Sequence, residues 1–177
     1  MKRSKHVDSG RKGKAVEHLI AALCVLGSDG ELNAWTSLVD DEGVDLVIQR
    51  RNRPETLSLQ IKARFTTAKG IAEKQRFHSL VRKATLRPRK DLYMIFVVVN
   101  PATLDLGPIW VIPSRRLVRG APLSPTEKYK FVASAKSESK DKWAKYIVPK
   151  EEVPAHLLGV LRECSRQSVG ANGGRGI

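Results

Sequence analysis

Near the start of the chain, apolar residues recur at helical spacing: Val16, Leu19, Ile20, Leu23 and Leu26 mark one stripe between residues 11 and 26. Gly27 and the following "SDG" close that helix. The period then shortens. Residues 32–39 ("LNAWTSLV") and 44–50 ("VDLVIQR") read as strands on either side of the acidic bend "DDEG". After the turn "RNRPE", residues 57–63 ("LSLQIKA") alternate apolar and polar as a third strand. A second helix is expected over 73–84 ("EKQRFHSLVRKA"), with Phe77, Leu80 and Val81 on one side, and "RPRK" ends it. The unbroken apolar run at 92–99 ("LYMIFVVV") predicts a strand covered on both faces. Further strands are expected at 107–113 and 128–134, with a short helical "SRRLV" after the first. "WAKYIV" follows a charged loop, and a last helix covers 151–164.

Helix, three strands, helix and strand, followed by additions, predict an α/β or α+β core with a mixed central sheet flanked by helices. Residues 1–10 are expected to form a flexible basic arm, 11–165 a single domain, and 166–177 a disordered Gly-rich tail. No internal repeat is present. Phe65, Phe77, Trp110, Trp143 and Tyr146 are expected to serve packing rather than base stacking.

The two most regular strands carry polar residues where a buried strand would carry none. Alternation puts Leu57, Leu59 and Ile61 on one face and Ser58, Gln60, Lys62 and Arg64 on the other. In the preceding strand Val44, Leu46 and Ile48 should share a face, with Asp45 and Val47 opposite. The tight "RNRPE" connection favours an antiparallel hairpin, which brings Asp45 beside Gln60 and Lys62. Glu17 flanks the apolar stripe of the first helix and can aim toward the same boundary. Two carboxylates, an amide oxygen and an ammonium group would then converge, a set suited to Mg²⁺-dependent phosphodiester chemistry.

Charge changes the picture further. The 177 residues carry 32 Lys and Arg against 18 Asp and Glu, a formal net charge of +14, which favours anionic partners and nucleic acid above all. The basic residues are not arranged on a large amphipathic helix, so a membrane surface is the weaker partner. No segment suits a secretory signal or a membrane span, and a cytoplasmic protein is expected. Cys24 and Cys164 suggest thiols in a reducing compartment rather than a disulfide framework. His6, His18, His78 and His156 form no zinc spacing with them. "GRKGK" lacks the spacing of a phosphate-binding loop, and no Ser/His/Asp set stands out.

"RKGKAVEHLIAAL", "GVDLVI" and "LQIKAR" together resemble the PD-(D/E)xK nuclease superfamily, the restriction-endonuclease-like fold. The resemblance covers roughly residues 11–64, which look in particular like the archaeal Holliday junction resolvases and the Mrr-type restriction endonucleases. It implies an αβββαβ core, cleavage of DNA with Mg²⁺ or Mn²⁺, and in many members a homodimer. Carried over by position, it implies metal-ligand roles for Glu17, Asp45 and Gln60 and a catalytic role for Lys62. Two positions depart from the pattern: Val44 replaces the proline, and Gln60 replaces the usual acid, which removes a charge from the metal site. Asp40, Asp41 or Glu42 stand near enough in sequence to compensate. The alternative is the same fold holding nucleic acid without cutting it.

Two basic runs adjoin these positions. Six of the first fourteen residues are Lys or Arg, and nine between Arg64 and Lys90 face only Glu73. Arg11, Lys12, Lys14, Arg64, Lys69, Lys74, Arg76, Arg82 and Lys83 are the expected phosphate contacts, which position a duplex without reading its sequence.

Overall fold

The alternating stretch around residues 57–63 becomes the interior strand on which the rest of the molecule is laid. A computed structural model describes residues 5–36 and 43–172, with side chains described for 10–36 and 43–166. Among the described residues the chain begins with α1 (Lys5–Gly27), β1 (Leu32–Thr36), β2 (Leu46–Arg50) and β3 (Thr56–Phe65). It continues through α2 (Lys69–Lys74), β4 (Arg76–Arg82), β5 (Leu92–Val99) and β6 (Leu106–Pro113). It ends with α3 (Ser114–Gly120), β7 (Lys128–Ser134), β8 (Ile147–Val148) and α4 (Val153–Asn172).

Six strands form one mixed sheet in the order β1-β2-β3-β5-β6-β8, and β4 pairs with β7 in a separate two-stranded sheet. β3 and β5 run parallel, and every other pair is antiparallel. Parallel neighbours need a long crossover, and the segment holding α2 and β4 supplies it.

Two apolar layers hold the sheet. On one face, Val16, Ile20 and Cys24 of α1 and Leu157 and Leu161 of α4 cover Leu46, Leu59, Ile61, Ile95 and Val97. On the other, Phe77, Val81, Phe131 and Ala133 of the small sheet, with Ile71 and Leu117 from α2 and α3, cover Met94, Phe96 and Trp110. β5 is thus buried on both sides, as its unbroken apolar run requires. Aromatic rings fill the second layer. Phe96 and Phe131 stack with centroids 3.8 Å apart, and Phe77 meets both edge-on at 5.8 and 5.7 Å. Such pairs add ~0.5–1.5 kcal/mol each beyond the area they bury. Trp143 closes the layer against Phe131 and lies so near Gly120 that a Cβ there would sit 2.7 Å from the indole.

Several expectations change. The helix expected over 73–84 is instead α2 followed by β4, whose burial alternates strictly: Phe77, Ser79 and Val81 are inside and Leu80 is 41% exposed. A serine at a buried position masked the period of two, and pairing with the distant β7 decides the matter. Leu26, expected on the stripe of α1, is 80% exposed. α1 already begins at Lys5, within the expected arm, and α4 continues to Asn172, into the expected tail. Residues 1–4, 37–42 and 173–177 lie outside the described residues.

The strand assignment of β4 has a direct consequence. Phe131→Ala should lower unfolding free energy by about 3–5 kcal/mol, whereas Leu80→Ala should change it by no more than about 0.5 kcal/mol. Urea titrations followed by circular dichroism will measure both, and a large loss at Leu80 would contradict the outward placement.

Candidate functional site

β3 shows Ser58, Gln60, Lys62 and Arg64 to the face opposite α1 and α4, and each meets a different environment. Ser58 is buried, and its hydroxyl accepts a 2.7 Å hydrogen bond from the Arg89 guanidinium. Arg64 donates from Nε to the carbonyl of His78 at 2.8 Å, which ties β3 to β4. Gln60 is only 4% exposed, and its buried Oε1 has no hydrogen-bond partner among the described residues. Lys62 is half-buried at the mouth of a cavity of about 300 Å³ lined by Gly43, Gln60, Lys62, Leu80, Arg82 and Thr85.

Gly43 shapes one wall. Its φ of +64° lies in the left-handed region, and a Cβ there would stand 2.7 Å from Gln60 Nε2 and 3.0 Å from the Thr85 carbonyl. Only glycine lets the backbone pass so close to the amide.

Asp45 sits where β2 leaves the ladder. The β2–β3 register ends at Leu46 opposite Leu59, and Asp45 N–H donates to the Leu59 carbonyl at 2.9 Å. The next inward N–H on β3, that of Ile61, donates to Asp45 Oδ2 at 2.6 Å. The carboxylate therefore replaces a missing main-chain acceptor and lies near the sheet plane, between Gln60 and Lys62 along β3. It does not form part of the cavity wall. Val44 was expected to share a face with Leu46 and Ile48. It packs instead with Phe77 and Met94 on the opposite layer, because the irregular pairing at Asp45 breaks the alternation.

The structure thus brings Asp45, Gln60 and Lys62 together around one stretch of β3. Glu17 is placed differently: it rides on α1 in the helical layer, its side chain 12% exposed, with Lys14 Nζ 2.7 Å from Oε2. Asp40, Asp41 and Glu42 lie outside the described residues. Among the described residues no group of three or more His, Cys, Asp or Glu is placed to hold a metal. What exists is a buried carboxylate beside an orphaned amide oxygen. Hard oxygen donators of that kind fit Mg²⁺ or Mn²⁺ better than a softer ion, and a ligand at Gln60 Oε1 would relieve an otherwise costly buried acceptor.

The expected phosphate contacts divide. Arg11 and Lys12 are exposed on α1, with Lys12 Nζ 5.7 Å from the Phe65 ring centroid, while Lys14 pairs with Glu17. Lys69 and Lys74 are exposed on α2, and Arg76 and Arg82 on the outer face of β4. Lys83 is engaged by Glu127 at 2.9 Å. Two cations escaped the sequence reading: Lys128 and Lys130 of β7, which stand opposite Arg82 and Leu80. Alternation in "KYKFVAS" puts both on one face, but nothing local names β4 as their partner. Partial desolvation holds the exposed His78 imidazole below its usual pKa, and Lys130 and Arg64 push it in the same direction. The two cysteines form no disulfide, and burial pushes the Cys24 thiol up to about 12.

No family model and no curated protein matches the chain by sequence. Its three-dimensional arrangement is similar to that of a bacterial homing endonuclease, I-Ssp6803I, with a TM-score of 0.51 and 14% identity over 89% of this chain and 95% of that one. The chain therefore shares an α+β fold with that protein, and its described residues form a six-stranded mixed sheet flanked by helices. Among the described residues no helix is long and apolar enough to cross a membrane.

The role of Asp45 in the ladder can be separated from any chemistry it performs. Asp45→Ala should be less stable than Asp45→Asn by about 1–3 kcal/mol, because the amide keeps an acceptor for the buried Ile61 N–H and alanine does not. Equal stability of the two variants in chemical denaturation would show that this hydrogen bond is not what holds the strand end.

Proposed function

We propose that this protein is a divalent-metal-dependent endonuclease of the PD-(D/E)xK type, acting on DNA. The observation that carries the reading is the buried Gln60 Oε1, which finds no hydrogen-bond partner among the described residues and lies between Asp45 and the cavity that Lys62 and Arg82 line. The similarity in fold to an endonuclease supports it, as does the +14 charge.

Asp45 and Gln60 would hold the metal, and Glu17, paired with Lys14 on α1, would reach it through water. A bound Mg²⁺ or Mn²⁺ supplies Lewis acidity to a phosphate oxygen and lowers the pKa of its water. Lys62 places its ammonium at the mouth of the cavity, where it orients the attacking water and offsets the negative charge that grows on the phosphate. Arg82 adds a second cation on the opposite wall. Gln60 contributes no charge, so metal affinity should be lower than with an acid at this position. Cutting both strands of a duplex needs two sites, and a homodimer belongs to the proposal.

Lys62→Ala should reduce cleavage of plasmid and branched DNA by at least about a hundredfold while leaving DNA affinity within about threefold, since binding rests on many distributed cations. EDTA should stop cleavage by the wild type. A protein that binds DNA and never cuts it with Mg²⁺ or Mn²⁺ would be a binding module, and the nuclease reading would fail.

Gln60→Glu offers an independent test. Adding a carboxylate beside Asp45 should tighten Mg²⁺ binding on the order of tenfold or more. Thermal-shift titration with Mg²⁺ reads this without any assay of activity, and unchanged affinity would remove Gln60 from the metal site.

A further inference from the structure

The small sheet has a second face. Its inner residues, Phe77, Val81, Phe131 and Ala133, are consumed by the core. The outer residues of β4 are Arg76, His78, Leu80 and Arg82, all exposed, and Lys130 and Lys128 stand opposite Leu80 and Arg82. Neither strand contains an Asp or a Glu, in a chain that has 18 of them. Each strand is seven residues long. Six steps at about 3.4 Å make a ribbon of roughly 20 Å, with strands about 4.8 Å apart. The major groove of B-form DNA is about 12 Å wide and admits a two-stranded ribbon of this size.

We infer that the outer face of the β4–β7 ribbon docks in the major groove of duplex DNA and sets where the duplex lies over the cavity. Charge complementarity supplies the attraction, but two features point to the groove rather than to the phosphates alone. Leu80 sits exposed among the cations, and an apolar side chain there suits a thymine methyl group. His78 lies beside it on the same face, and a neutral imidazole offers one donor and one acceptor, matching the mixed edges of base pairs. Leu80 and Arg82 also line the cavity that Gln60 and Lys62 share, so a groove-bound ribbon leaves the backbone next to that cavity. The inference rests on the reading of a protein that acts on DNA, and it adds the element that contacts the duplex and the groove it enters.

The test compares two double variants of the full chain that remove equal charge. Arg76→Ala with Lys130→Ala strips the ribbon. Arg53→Ala with Arg166→Ala strips an exposed arginine cluster beside the β2–β3 turn and α4. Binding to a fluorescent 30-base-pair duplex is followed by anisotropy across a salt series, in Ca²⁺ and in EDTA. The ribbon variant should lose on the order of tenfold in affinity at about 0.1 M salt and flatten the log–log salt slope by about two units. The control variant should stay within about threefold, because α4 packs on the layer of the large sheet opposite the ribbon. A duplex whose cytosines carry glucosylated 5-hydroxymethyl groups fills the major groove without altering phosphates, and should bind the wild type at least about tenfold more weakly. Equal losses from the two variants, or unimpaired binding of the glucosylated duplex, would overturn the ribbon inference and leave the nuclease reading standing. Ribbon-dependent binding without cleavage would do the reverse, and absence of duplex binding would remove both.

Discussion

A strand inside a sheet is in contact with protein on both faces, so every polar group it carries must find a partner there or be desolvated for nothing. β3 is such a strand, between β2 and β5, and its apolar face lies under α1 and α4. Its other face holds Ser58, Gln60, Lys62 and Arg64, and much of the molecule's architecture serves that row. Arg89 reaches back from the loop before β5 to satisfy Ser58. Arg64 crosses to β4. Between those anchored ends, Gln60 and Lys62 are left at the cavity wall. Among the described residues Gln60 Oε1 finds no hydrogen-bond partner, and this makes it available for chemistry.

The departure of β2 from the ladder is equally consequential. Gly43 comes so near the amide that a Cβ there would stand 2.7 Å from Gln60 Nε2, and Asp45 satisfies the Ile61 N–H beyond the last β2–β3 pair. One carboxylate consequently has a structural duty and a position beside the candidate site, which is why alanine and asparagine substitutions separate the two. The aromatic layer of Phe77, Phe96, Trp110 and Phe131 supports the opposite wall by fixing β4 above β5.

What was legible in the sequence follows the range of the forces involved. Alternation at 57–63, the apolar run at 92–99 and the helical stripe of Val16 and Ile20 are local consequences of burial on one or two faces, and they appear as β3, β5 and α1. The hairpin turn "RNRPE" was likewise enough to place Asp45 next to β3, since a short connection leaves few registers. The sequence could also nominate Gln60 and Lys62 as neighbours, because a period of two needs no tertiary information.

Other features belong to the tertiary structure alone. β4 read as a helix because Phe77, Leu80 and Val81 fit that spacing, and only pairing with β7 turned Ser79 inward and Leu80 outward. The same pairing gathered Lys128 and Lys130 with Arg76 and Arg82 on one surface, a juxtaposition no local pattern contains. Val44 changed layers and the Asp45 carboxylate came to lie in the plane of the sheet, because an unsatisfied backbone N–H on a neighbouring strand outweighed simple alternation. The sequence by itself determined which residues are polar within buried strands. Which of them receive partners, and which is left bare beside a cavity, was decided by contacts between segments far apart in the chain, where hydrogen-bond satisfaction is settled.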